Sequence, residues 1–169
     1  LKEILIIASV LSIQDPRERP MDKREAADNA HAKFAGEGSD FMSYLKIWDW
    51  FDSAQKNKKS NKELLNQCHS NFLSFLRLKE WRELHLQLLD IVDEMEFKLN
   101  EKEASYEQIH KSLLAGLLGN IGFKDGETDS YAGARGIRFH VAPGSCLKKT
   151  RPKWVIAAEL VDTTKLYAR

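Results

Sequence analysis

The sequence holds little that can do covalent or redox chemistry. Among 169 residues there are two cysteines, Cys68 and Cys146. They lie far apart and fit no disulfide framework, so reduced thiols in a cytoplasmic protein are the simplest account. Cys68-His69 has no second ligand pair at a suitable spacing, so no metal site is expected. No G-x-x-x-x-G-K-[ST] loop occurs. Gly119-Asn120-Ile121-Gly122-Phe123-Lys124 reads as a helix end followed by a turn. Asp93-Glu94-Met95-Glu96 resembles an acidic metal box only superficially, because its acids fall on a solvated helix face. His31, His85 and His110 sit on helical stretches with no nucleophile pattern beside them. No apolar run is long enough to cross a bilayer and no signal peptide is visible, so no membrane partner is expected. The residues alone make a binding or structural module.

Excess charge is also lacking, with a net of +1, but the average hides an asymmetry. Residues 121–169 carry nine Lys/Arg against five Asp/Glu, a net of +4. The first 120 residues carry 17 against 20, a net of −3. Residues Arg135 to Arg169 read as a basic hairpin. In the first run Ile137, Phe139 and Val141 alternate with Arg138 and His140, a half-buried strand with a polar face. The last run, Trp154 to Val161, is apolar on both faces and reads as a more deeply buried strand. Between them a Gly/Pro-punctuated loop carries Lys148, Lys149, Arg151 and Lys153 with no acid among them. Such a loop neutralises phosphates and releases counterions, or it is merely solvated; charge alone favours neither.

The rest of the chain has helical periodicity. Leu1, Ile4, Leu5, Ala8 and Leu11 share one face of a first helix, which Pro16 stops near Ser12 or Ile13. Gln14 to Pro20 is an irregular connector. A second helix is expected from about Asp22 to Ala35, ended by Gly36 and Gly38. Ser39 or Asp40 caps a third, and residues 55–61 form an exposed loop before a short helix at Asn61–Cys68. Phe72, Leu76, Trp81, Leu84, Leu88, Ile91, Met95 and Leu99 mark a long amphipathic helix. Of the four tryptophans, only Trp50 falls off its helix's apolar stripe; Trp48, Trp81 and Trp154 are expected in the core. Ser105 and Gln108 form a capping box for a last helix that Gly119 stops. The period then switches to strand-like, which puts the boundary of a helical bundle and a small β domain near Asn120. The chain begins mid-helix by pattern and its first methionine is Met21, as in a piece of a longer protein.

These motifs together resemble the helicase-associated C-terminal region of DEAH-box RNA helicases, in particular the bacterial HrpA type. The match is carried by Ile6 to Pro20, by Phe34 and Gly38 to Leu45, by Cys68-His69-Ser70-Asn71-Phe72-Leu73 and by Gln87-Leu88. Toward the end it is carried by Ala115 to Gly122, His140 to Ser145, Pro152-Lys153-Trp154-Val155 and Glu159 to Lys165. His85 stands where many members have arginine, and Val141-Ala142 precedes Pro143 where many have histidine.

The resemblance implies residues 1–118 as a helical ratchet-like domain and residues 119–169 as part of an oligonucleotide-binding (OB) fold, incomplete against a five-stranded barrel. It implies a non-catalytic region that grips single-stranded RNA beside two RecA-like motor lobes of the same polypeptide. ATP and Mg²⁺ would belong to those lobes and no cofactor to this region. Arg138, His140, Ser145, Lys148, Lys149, Arg151 and Lys153 are the expected RNA contacts. The alternative is a protein-interaction platform that docks the lobes or an activator protein.

Overall fold

A computed structural model of the chain describes residues 1–57, 60–126 and 128–169. They divide into two compact units, Leu1–Ala104 and Ser105–Arg169.

The first unit contains helices α1 (Lys2–Leu11), α2 (Arg24–His31), α3 (Asp40–Lys56), α4 (Asn61–Ser70) and α5 (Phe75–Glu94). The core joins Ile6 and Val10 of α1, Tyr44, Ile47 and Phe51 of α3, Cys68 of α4, and Leu78 and Trp81 of α5. Trp81 is wholly buried and satisfies its indole N–H on Ile6 O at 3.0 Å and Ser9 Oγ at 2.9 Å. Burial on α1 is wider than the predicted face: Ile6, Ile7 and Val10 are buried, whereas Leu1 is exposed. A helix apolar on most of its circumference gives no single stripe for periodicity to find.

The long stripe also needs correcting. Phe72 precedes α5 with a positive φ of 51°, and the helix begins behind the Ser74 cap. Leu78, Trp81 and His85 are buried, but Leu76, Ile91, Met95 and Leu99 are exposed. Twenty residues of α5 span about 30 Å, and the ten of α1 packed on it only about 15 Å. The predicted loop at 55–61 shrinks: α3 runs to Lys56, and a Ser60–Glu63 capping box starts α4. Lys58 and Lys59 lie outside the described residues.

The irregular connector before α2 is an ordered core element. Pro16 is fully buried, and its carbonyl accepts from Ser74 N at 2.8 Å. Arg17 reaches Asp15 at 2.8 Å, Asp40 at 3.2 Å and the Tyr44 hydroxyl at 3.1 Å. The Tyr44 hydroxyl donates to Asp15 at 2.8 Å.

The second unit opens with α6 (Tyr106–Gly116), and both hydrogen bonds of the Ser105–Gln108 capping box are formed. The unit division falls ahead of α6, so this helix groups with the strands rather than with the bundle. The change of period near Asn120 marks where a helix ends, and carries no information on which core its apolar face joins. Among the described residues six short strands follow: β1 (Ile121–Lys124), β2 (Ser130–Ala132), β3 (Arg138–Val141), β4 (Trp154–Ile156), β5 (Leu160–Asp162) and β6 (Leu166–Ala168). A one-turn helix α7 (Leu147–Thr150) lies between β3 and β4. One curled sheet, a half-barrel, has the order β4-β1-β2-β3-β6-β5. All neighbours are antiparallel except β3–β6. Helical region and small OB-type β domain therefore stand as the sequence reading has them.

The basic hairpin does not. β3 pairs with β2 and β6, and β4 pairs with β1. Adjacent runs of strand pattern reveal two strands but not their partners. The final run is two strands, linked through Ala157–Glu159. Ala157 N donates to Asn120 O at 2.9 Å, and Ala158 N to Arg169 O at 2.6 Å. This segment therefore pairs with β1 at one end and β6 at the other. Inside, Tyr131, Phe139 and Val155 form a small core. Gly122 admits it: a Cβ there would lie 2.3 Å from the Phe139 ring.

Candidate nucleic-acid interface

The curled sheet and α7 enclose a concavity of about 160 Å³. Lys124 enters it from the end of β1, Lys148 from α7, Arg151 from the link after α7, and Lys165 from the β5–β6 turn. Tyr131, His140 and Tyr167 supply aromatic wall. Four cations from four separate elements thus meet around a cleft of aromatic side chains. Tyr131 donates its hydroxyl to Pro152 O at 2.8 Å, which pins the link carrying Arg151 against β2. Burial pushes this phenol up from its ordinary pKa, so it remains protonated and a donor. His140 Nδ1 lies 3.0 Å from Asp129 O, and its ring is 6.1 Å from Tyr167.

Of the residues predicted from sequence, the cleft gathers His140, Lys148 and Arg151. Lys149 is exposed on α7 but does not line it. Lys153 instead stands 5.5 Å from the Phe123 ring centroid. Arg138 is ion-paired with Asp125 and reaches Ser130 Oγ at 3.4 Å. Ser145 Oγ accepts from Leu147 N at 3.1 Å, which shapes the start of α7. The loop has no acid in sequence, yet in space Asp129 sits 2.7 Å from Arg151. Chain folding brings in acids that a linear charge count cannot see.

Sequence reasoning missed Lys124, Tyr131, Lys165 and Tyr167. Lys165 ends a segment that carries the resemblance and Lys124 lies just beyond another, but neither stands in the basic run. The expectation for Trp154 also fails: it is 60% exposed. Trp50 packs against the helical core and meets Phe34 edge to face at 5.7 Å.

Cys68, beside His69, is buried in the helical core, and burial pushes its thiol up to about 11. That disfavours the thiolate a metal needs. Among the described residues no group of three His, Cys, Asp or Glu is placed to hold a metal ion. No helix among the described residues is long and apolar enough to cross a membrane.

Comparison with known proteins agrees with this geometry. Residues 109–169 match a family model described as an oligonucleotide/oligosaccharide-binding (OB) fold. Over 167 residues the chain is 46% identical to an ATP-dependent RNA helicase HrpA homolog of Haemophilus influenzae, covering 99% of this chain and 13% of that protein. It is 44% identical over 169 residues to ATP-dependent RNA helicase HrpA of Escherichia coli, covering 100% and 13%. With ATP-dependent RNA helicase DHX33 of Drosophila melanogaster it shares 28% over 170 residues, covering 100% and 23%. The chain therefore spans a small part of each of these relatives. Matched from end to end at this identity, and closing in an OB-fold segment, it corresponds to the C-terminal helicase-associated region of HrpA-type RNA helicases.

Proposed function

We propose that this region grips single-stranded RNA in the cytoplasm, without reading its sequence, beside ATP-driven motor lobes of a longer polypeptide. The observation that carries this is the meeting of Lys124, Lys148, Arg151 and Lys165 around a tyrosine-lined cleft. Cations on separate elements neutralise phosphates, and aromatic faces accept any base, so the combination is sequence-tolerant. ATP and Mg²⁺ act in the lobes; this region supplies grip and not hydrolysis. Anisotropy titrations with labelled oligouridylate, oligoadenylate and oligocytidylate across a salt series test it. Similar affinities that all fall with salt support the reading. A strong preference for one sequence, or indifference to salt, contradicts it.

A second reading has an observation of its own. Leu86, Ile91, Met95 and Phe97, on and just after α5, are 50–58% exposed. Exposed apolar side chains suit a protein contact, here the motor lobes or an activator protein. If this reading governs, Leu86→Glu with Ile91→Glu weakens association with the lobes and leaves RNA affinity unchanged.

A further inference from the structure

The sheet carries a second feature that the cleft does not use. Strand register places Trp154 opposite Phe123, Phe123 opposite Ala132, and Ala132 opposite Arg138. One row thus crosses β4, β1, β2 and β3. The neighbouring positions Val155, Gly122, Tyr131 and Phe139 are buried, so the pleat turns this row to the other face. The Trp154 and Phe123 rings meet at 4.7 Å with planes tilted 57°. Lys153 stands 5.5 Å from the Phe123 centroid. Trp154 leaves 60% of its surface in water. Ala132 is the small member of the row, between Phe123 and Arg138. Those two lie two strand spacings apart, roughly 10 Å.

We infer that this row is a stacking platform for a base of single-stranded RNA, with Trp154 as its principal residue and Phe123 as its support. The inference rests on the RNA-gripping reading above and names a further site for the same ligand. Two relationships identify the occupant. Lys153, 5.5 Å from the Phe123 centroid, sets positive charge beside the aromatic pair, which suits a phosphate next to a stacked base, while Arg138 at the far end of the row is already ion-paired with Asp125. The platform also borders the link that carries Arg151: Lys124 N donates to Lys153 O at 2.9 Å, so that link runs alongside β1 into Trp154. Trp154 lies three residues from Arg151, at most about 10 Å along the chain. A strand that leaves the cleft past Arg151 and turns over the β4 edge of the sheet meets Trp154 next. Aromatic faces take any base, so the site adds grip without specificity.

The test uses the 169-residue chain with labelled oligouridylate and with an abasic ribose-phosphate chain of equal length. Trp154→Ala is expected to weaken oligouridylate binding roughly tenfold and to leave the abasic chain's affinity and salt slope unchanged. Trp154→Phe retains most of the binding. Lys148→Ala with Arg151→Ala weakens both ligands. Unchanged abasic binding also shows that Trp154→Ala has kept the fold. Equal losses for both ligands, or no loss for either, overturn the platform while leaving the cleft standing. Failure of the unaltered chain to bind either ligand overturns both readings.

Discussion

Arg151 Nη1 lies 2.7 Å from Asp129 Oδ1 at the rim of the cleft. Both side chains are more than half exposed, so the pair adds little to stability. Its effect is on the ligand: Asp129 holds the guanidinium in place but competes with a phosphate for it. Asp129→Asn is expected to tighten RNA binding a few-fold, on the order of 1 kcal/mol, most visibly at low salt. Weaker binding by this variant would mean that Arg151 depends on Asp129 for its orientation.

The backbone of Arg151 is left-handed, with φ 45° and ψ 58°, where α7 ends. Glycine is the usual residue in such a position, and a side chain there costs on the order of 1 kcal/mol. Arg151→Gly should therefore lose RNA affinity while the melting temperature holds or rises. Arg151→Ala should lose the same affinity without that relief. Retained binding in both variants would remove Arg151 from the interface.

The connector network predicts an acid-sensitive helical unit. Burial pushes the Asp15 carboxyl up, but the charge and hydrogen bonds of Arg17, with the Tyr44 hydroxyl, outweigh it and hold the group below its usual value. A lowered folded-state pKa stabilises above the unfolded value near pH ~3.9, and the gain is lost as pH falls through the folded value. Arg17→Ala leaves a partly buried carboxylate without its cation and should cost about 1–3 kcal/mol in urea unfolding. Tyr44→Phe should cost about 1 kcal/mol.

His85 predicts a second, milder dependence. It is 8% exposed, packs against Trp48 with ring centroids 4.5 Å apart, and its Nε2 has no hydrogen-bond partner among the described residues. Burial lowers its pKa, only partly opposed by Asp52, and burial lowers His31 as well. Both are held neutral in the folded chain, so stability is complete above about pH 6.5 and falls as pH drops toward the folded values. His85→Phe should flatten part of that slope in thermal melts between neutral and mildly acidic pH. An unchanged slope would show that His85 does not titrate with folding.

Much of the fold was legible because local signals act locally. The Ser105–Gln108 capping box, the second helix before Gly36 and the strand-like end all needed only neighbouring residues. Pairing was not legible, because β3 and β4 pattern identically whether they join each other or join β6 and β1. The same limit shaped the site. His140, Lys148 and Arg151 stood out in a basic segment, whereas Lys124 and Lys165 enter the cleft only through sheet order. Trp154 read as core because its run is apolar on both sides, and only the register shows which face it takes. The connector at Gln14–Pro20 read as irregular because ion pairing with Asp40 and hydrogen bonding with Tyr44 cross more than twenty residues.

The central claim is that the cleft touches phosphate, and the salt dependence of RNA binding tests it most directly. The measurement is fluorescence anisotropy of labelled single-stranded RNA, comparing the unaltered chain with Lys124, Lys148, Arg151 and Lys165 all changed to Ala. Removal of each cation that neutralises a phosphate should make the slope of log affinity against log salt shallower by about 0.7. A weaker-binding variant with a clearly shallower slope is the predicted result. An unchanged slope and affinity would contradict the account and leave the exposed apolar side chains of α5 as the better guide to function.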